Sequence, residues 1–288
     1  MLIHWYPGHM HKAQRQIREI IHKIDVFIEV LDARLPDSSM NPMLEEIREG
    51  KPCLKILSKT DLADPDITKA WQIEFEKMDG VKTLQITTTQ PDLAKKIPAL
   101  VASMAPHRGK PGKPVRSMIM GIPNVGKSTL INTLLGRKLA KVGNEPAVTK
   151  RQQKVMIGDN FQLMDTPGIM SPSAKSELAG YRLATSGAIR DTAMEYEDVG
   201  LFAIDYLMQR YPDLLSERFN LAELPETGYE CMELLAAKRG CLKKGGIDLH
   251  KISEILVKEY RSGKLGRISL EEPGIEYAYR DLEIFDKN

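Results

Sequence analysis

Gly121-Ile122-Pro123-Asn124-Val125-Gly126-Lys127-Ser128 is the stretch on which the reading of this chain turns. It fits the pattern G-x-x-x-x-G-K-[ST] in full and lies between an apolar strand at 118–120 and a helical run at 127–135. The glycines let successive backbone N–H groups curl around a phosphate at the start of a helix, where the helix dipole also favours negative charge. In that arrangement Asn124, Val125, Gly126 and Thr129 line the nucleotide. Lys127 reaches the β and γ phosphates, and the Ser128 hydroxyl ligates Mg2+.

Two strand-like runs follow at 154–157 and 161–164, separated by the turn Gly158-Asp159-Asn160, and the second runs into Asp165-Thr166-Pro167-Gly168. A carboxylate at the end of that strand lies at the carboxyl edge of a parallel sheet, where open α/β folds bind ligands. Asp165 would hold Mg2+ there, and the Gly168 N–H would meet the γ-phosphate. Thr149, in the loop 143–150, reads either as a switch threonine on the same metal or as an ordinary loop threonine. Upstream, Ser58-Lys59-Thr60-Asp61 follows an apolar strand at 54–57 and resembles the N-K-x-D guanine-recognition motif. Asp61 can accept from both the ring N–H and the exocyclic amine of guanine, a pair that adenine does not offer. Ser58 departs from the motif, putting a hydroxyl where an amide would also tie the motif to the phosphate loop. Thr87 and Thr88, after the run 83–86, read as a fifth, base-supporting element or as a plain strand end.

The order of these motifs decides the topology. A standard Ras-like domain runs phosphate loop, switch threonine, D-x-x-G, N-K-x-D and fifth element, whereas here the last two come first. Such a circular permutation needs the old termini joined across the surface, and the Pro/Gly/basic segment 107–116 is placed to do it. Apolar runs at 26–31, 53–57 and 83–86 alternate with helical stretches at 42–48, 67–78 and 93–104, which implies a parallel sheet covered on both faces. Beyond 176 strand signals stop, and helical patterns occupy 193–211, 227–238 and 249–260. The expectation is an α/β fold: a circularly permuted Ras-like P-loop domain over 1–175, including a basic amphipathic helix at 10–24, and a small all-α domain over 176–288 with a polar tail after Gly266. Because the helical domain follows D-x-x-G directly, γ-phosphate-dependent motion there would pull on it.

Composition narrows the class. The 288 residues suit two domains, and 42% apolar with 28% charged residues sets aside disordered and fibrous classes. No apolar run approaches a membrane span and the N-terminus lacks a signal pattern, so the expected compartment is the cytoplasm. Cys53, Cys231 and Cys241 are scattered and outside any C-x-x-C, so they read as reduced thiols. Residues 1–175 hold 26 Lys and Arg against 18 Asp and Glu, while 176–288 hold 15 against 21. Within the second half, 191–233 is acidic and 238–267 carries 9 bases against 3 acids, which reads as a polyanion-facing surface or as a solvated helix face.

Together, Trp5-Tyr6-Pro7-Gly8-His9-Met10, Asp32-Ala33-Arg34 with Pro36, the Ser58–Asp61 motif, the phosphate loop and Asp165–Ile169, in this order, resemble the circularly permuted GTPases of the ribosome biogenesis GTPase A family. The resemblance implies binding of GTP and GDP with Mg2+, slow hydrolysis stimulated by the ribosomal particle, and contact with rRNA of the large subunit through the C-terminal domain. On this reading the protein is a monomer with no membrane or DNA partner. Ile169 stands where Ras-like enzymes keep a water-orienting Gln, and the resemblance points to His9 as its substitute; a structural histidine is the other reading. Lys127 and Thr149 complete the catalytic set. Asn124 matches the asparagine that ligates K+ in potassium-activated relatives, and Ala147 replaces the usual glycine after Pro146. If rRNA is bound, Lys238, Arg239, Lys243, Lys244 and Lys251 are the residues placed to meet its phosphates. A nucleotide-gated RNA-binding or scaffold protein with little turnover is the second reading, since Ile169 cannot orient water.

Overall fold

The computed structural model describes residues 20–41, 46–87, 89–110, 112–136, 153–165 and 176–275. Six strands form one sheet: β1 (Val26–Asp32), β2 (Cys53–Ser58), β3 (Val81–Gln85), β4 (Val115–Gly121), β5 (Gln153–Ile157) and β6 (Phe161–Asp165). Their order is β3-β2-β1-β4-β6-β5, parallel throughout except for β5, which runs antiparallel at the edge. All seven residues of β1 and all six of β2 are buried, which is why both read as mainly apolar runs rather than alternating ones.

Side chains nonetheless part to opposite faces with the two-residue period of a strand. Val26, Ile28 and Val30 join Val101, Ile119 and Leu163 on one face; Phe27 and Leu31 join Trp71, Phe75, Met118 and Met120 on the other. Glu29 lies buried between strands, where its Oε2 is 2.5 Å from Lys55 Nζ and its Oε1 accepts from the Asn41 N–H at 3.0 Å. Removing one partner of such a pair costs about 3–5 kcal/mol, because the other charge stays buried.

Helix α1 is the single turn Pro36–Ser39; α2 (Pro65–Glu76) starts at Asp64, whose carboxylate accepts from the Asp66 and Ile67 N–H groups. The helix expected from 93 instead begins as a 3-10 segment, Pro91–Lys96, and becomes α3 at Ile97–Met104. Pro98 has no N–H to donate, so it sits in a first turn and not in a helix interior. The connection expected over 107–116 gives way to β4 at Val115, and it is pinned on both sides: Arg108 and, in β4, Arg116 both reach Asp25, at 3.4 and 3.1 Å, at the foot of β1.

The second half contains α5 (Glu177–Ser186), α6 (Tyr196–Arg210), α7 (Pro212–Phe219), α8 (Gly228–Arg239) and α9 (Leu249–Arg261), with α4 (Lys127–Leu135) belonging to the sheet. The purely helical expectation needs two corrections. A short hairpin, β7 (Leu242–Lys243) and β8 (Gly246–Ile247), separates α8 from α9, its turn made by Lys244 and Gly245, with Gly245 at φ +96°. The segment after Gly266 is no solvated tail as far as it is described: Ile268, Ser269, Leu270 and Glu271 are buried against the first half of the chain. Ser269 and Glu271 read as polar from composition because their partners lie some 200 residues away, at Asp64 and Ser38. Among the described residues no helix is long and apolar enough to cross a membrane, and Cys53, Cys231 and Cys241 are buried.

Candidate nucleotide site

The carboxyl ends of β1, β2, β4 and β6 meet along one sheet edge, with Asp32 opposite Ser58 and Val30 opposite Gly121. At the end of β4 only glycine fits at 121, since a Cβ there would come within 2.7 Å of the Val30 carbonyl. The chain then turns through left-handed Asn124 and Gly126, at φ +58° and +97°, and enters α4 at Lys127. This is the backbone of a phosphate nest at a helix N-terminus. Lys127 is buried, while Asn124, Gly126, Ser128 and Thr129 are partly exposed around it and Val125 is buried beneath. Asp165 closes β6 beside β4, opposite Ile119. Its side chain, with Thr88, Thr149, Gly168 and His9, lies outside the described residues.

Ser58 keeps the link that its replacement of asparagine put in question. Its Oγ lies 2.6 Å from the Val125 carbonyl and 2.8 Å from the Leu31 carbonyl, and its one proton serves either. Lys59 takes a left-handed conformation, φ +56°, and its Nζ meets Asp32 Oδ2 at 2.8 Å. Thr60 Oγ1 donates to the Ile86 carbonyl at 3.1 Å, so the loop is also tied to the strand end that carries the half-exposed Thr87. Asp61 is exposed beyond these anchors.

Asp32 and Arg34 were visible only as part of a family motif, and their work is electrostatic. Arg34 Nε and Nη2 donate to the two oxygens of Asp32 at 2.9 and 2.7 Å. Burial pushes the Asp32 carboxyl up, but Arg34 and Lys59 outweigh it and hold it well below the usual carboxylate range. Arg34 also donates to the Ser186 carbonyl at 3.1 Å and stacks over the Tyr260 ring, 5.0 Å to its centroid. The Asn124 amide donates from Nδ2 to the Gly187 carbonyl at 2.8 Å. That bond ties the phosphate loop to the end of α5 and fixes the plane of the amide. Neither contact has a local sequence signal, since each spans more than 60 residues.

The basic stretch of the second half is partly engaged internally. Lys238 Nζ donates to the Asn220 carbonyl at 2.6 Å, and Arg239 pairs with Glu259 at 3.1 Å above the Phe219 ring. Lys243 and Lys244, on the hairpin, and Lys251, in the first turn of α9, are exposed.

Residues 116–232 match the family described as 50S ribosome-binding GTPase. The Ser58–Asp61 motif lies before that span, as the permuted order requires. The ribosome biogenesis GTPase A of Priestia megaterium is 41% identical over 95% of this chain and 98% of its own length, and that of Bacillus cereus 43% identical over 95% of each. Among solved structures, GNP-bound YlqF from T. maritima is 27% identical, with TM-score 0.64 over 92% of this chain and 100% of that one.

Proposed function

The chain belongs to the ribosome biogenesis GTPase A family, and on that premise we propose that it is a GTP-hydrolysing factor in assembly of the large ribosomal subunit. The observation that supports this most directly is the bond from Ser58 to the Val125 carbonyl, which makes one site of a base-reading loop and a phosphate loop 67 residues apart. Asp61 reads guanine, with Lys59, Thr60, Thr87 and Thr88 shaping the base pocket. Lys127 and the N–H groups of the 121–128 loop take the phosphates, and Gly168 meets the γ-phosphate.

Ser128, Thr149 and Asp165 would hold Mg2+ through oxygen donors, and the ion would supply positive charge against the phosphates. Asn124 would hold K+ at the phosphate loop. His9 orients the attacking water that Ile169 cannot, and the protein works in the cytoplasm, where its particle is made. GTP favours the subunit-binding conformation and, by reciprocity, the subunit favours GTP. The exposed Lys243, Lys244 and Lys251 face rRNA phosphates; Lys238 and Arg239, partly engaged within the protein, flank them.

Multiple-turnover phosphate release in K+ buffer tests this reading, with GTP turned over and ATP not. GTP that stays bound with release near zero even beside ribosomal subunits would instead favour a nucleotide-gated binding protein.

A further inference from the structure

The loop that carries Asp61 is held from the far end of the chain. Asp61 is exposed, so its aim depends on the peptide units on either side of it. Each unit is planar, and a bond to its carbonyl oxygen therefore also orients the N–H across the same plane. The Thr60 carbonyl, in the unit that begins Asp61, accepts from Arg267 Nη2 at 2.7 Å. The next unit is fixed inside the loop, by the Leu62 N–H on the Lys59 carbonyl at 2.9 Å. The Leu62 carbonyl then accepts from the Ile268 N–H at 2.9 Å. In the unit after that, the Ala63 carbonyl accepts from Arg267 Nε at 2.8 Å while the Asp64 N–H donates to Ser269 Oγ at 3.2 Å. Of the four peptide units between 60 and 64, three are thus held by residues 267–269.

Arg267 suits this task because a guanidinium offers several donors in a rigid fork, which here spans two carbonyls three residues apart. The segment does not need Arg267 in order to dock. Ile268, Ser269 and Leu270 are each at most 1% exposed, and Tyr206 Oη donates to the Ser269 carbonyl at 2.8 Å, whereas Arg267 itself is exposed. Its two bonds act on the loop.

We propose that Arg267 is a positioning residue for guanine recognition, setting the peptide that aims the Asp61 carboxylate and so making base selectivity depend on the docked C-terminal segment. This rests on the assignment of Asp61 as the base reader. The charge at 267, in the basic stretch that composition offered to a polyanion, faces the protein's own nucleotide loop.

The test measures dissociation constants of GDP and IDP for full-length wild type, Arg267→Ala, Arg267→Lys and Asp61→Ala, with thermal melting alongside. IDP lacks the exocyclic amine, so the GDP-to-IDP preference reports how well the carboxylate meets both donors of guanine. Arg267→Ala should weaken GDP by about three- to tenfold and IDP by less, so that the preference itself falls, while the melting temperature stays near wild type. Arg267→Lys, which can reach one carbonyl, should recover part of the preference and carries the same test should the alanine variant not fold. An unchanged preference in folded Arg267 variants, or equal weakening of GDP and IDP, overturns the proposal alone. A wild type with no preference for GDP, or an Asp61→Ala protein that keeps it, overturns the base-reader assignment and the proposal with it.

Discussion

At Ser58 a hydroxyl does the tethering that an amide does elsewhere, and its removal should be felt at the nucleotide rather than in the fold. Ser58→Ala deletes the bond to Val125 while leaving volume nearly intact, so guanine-nucleotide affinity should fall by about five- to tenfold, measured by fluorescent-GDP titration. Ser58→Asn should hold affinity at or above wild type. At Asp61 the chemistry predicts an exchange of preference: Asp61→Asn presents a donor in place of an acceptor, so xanthine nucleotides should displace guanine ones in competition binding. Asp32 makes a pH-dependent prediction. Its carboxyl is held below the ordinary aspartate value of 3.8, so the stability it contributes is full above that pH and is lost as pH falls toward the folded value. Asp32→Asn should therefore be less stable by about 3–5 kcal/mol near neutrality, because Arg34 stays buried, and the deficit should narrow below pH 3.8 in urea titrations.

Among the elements of the helical half, α6 and α9 pack closely at Gly200. A Cβ at Gly200 would come within 2.9 Å of the Ser253 backbone, so Gly200→Ala must push the helices apart. Overpacking of this kind costs about 1–3 kcal/mol, and calorimetry should show a melting point lower by several degrees with nucleotide affinity little changed. The strands were the most legible elements, because burial on both faces of β1 and β2 leaves apolar runs broken internally only by Glu29 and Lys55, and the phosphate loop was legible because its glycines answer local backbone demands. Less could be read where a residue's partner is remote in sequence. Glu271 looks like a surface acid, yet its carboxylate takes Ser38 and Arg182. The alternation of Ile268 and Leu270 was the one local hint that the segment packs, and it is too short to separate from a polar tail. Arg34 and Asn124 likewise show their partners, Ser186 and Gly187, only in three dimensions.

For the whole molecule, the permutation places the helical half directly after D-x-x-G, and the end of α5 becomes one meeting point of the two halves, beside the docked segment 267–271. Asn124 of the phosphate loop bonds Gly187, Arg34 bonds Ser186, and Arg261 of α9 donates to the Ala184 and Thr185 carbonyls at 2.7 and 3.0 Å. The phosphate loop is thus linked by hydrogen bonds through the end of α5 to α9, the helix that carries Lys251 in its first turn. Reversing the charges of Lys243, Lys244 and Lys251 should lower affinity for large subunits by at least about tenfold, steeply dependent on salt, and leave GDP affinity as it was. The central claim, a permuted GTPase whose hydrolysis answers to the large subunit, is tested most directly by one measurement: GTP-dependent phosphate release in K+ buffer with no particle, with purified small subunits and with purified large subunits. The account predicts slow release alone and with small subunits, and a marked rise with large subunits that His9→Ala abolishes. Equal release in all three would contradict it.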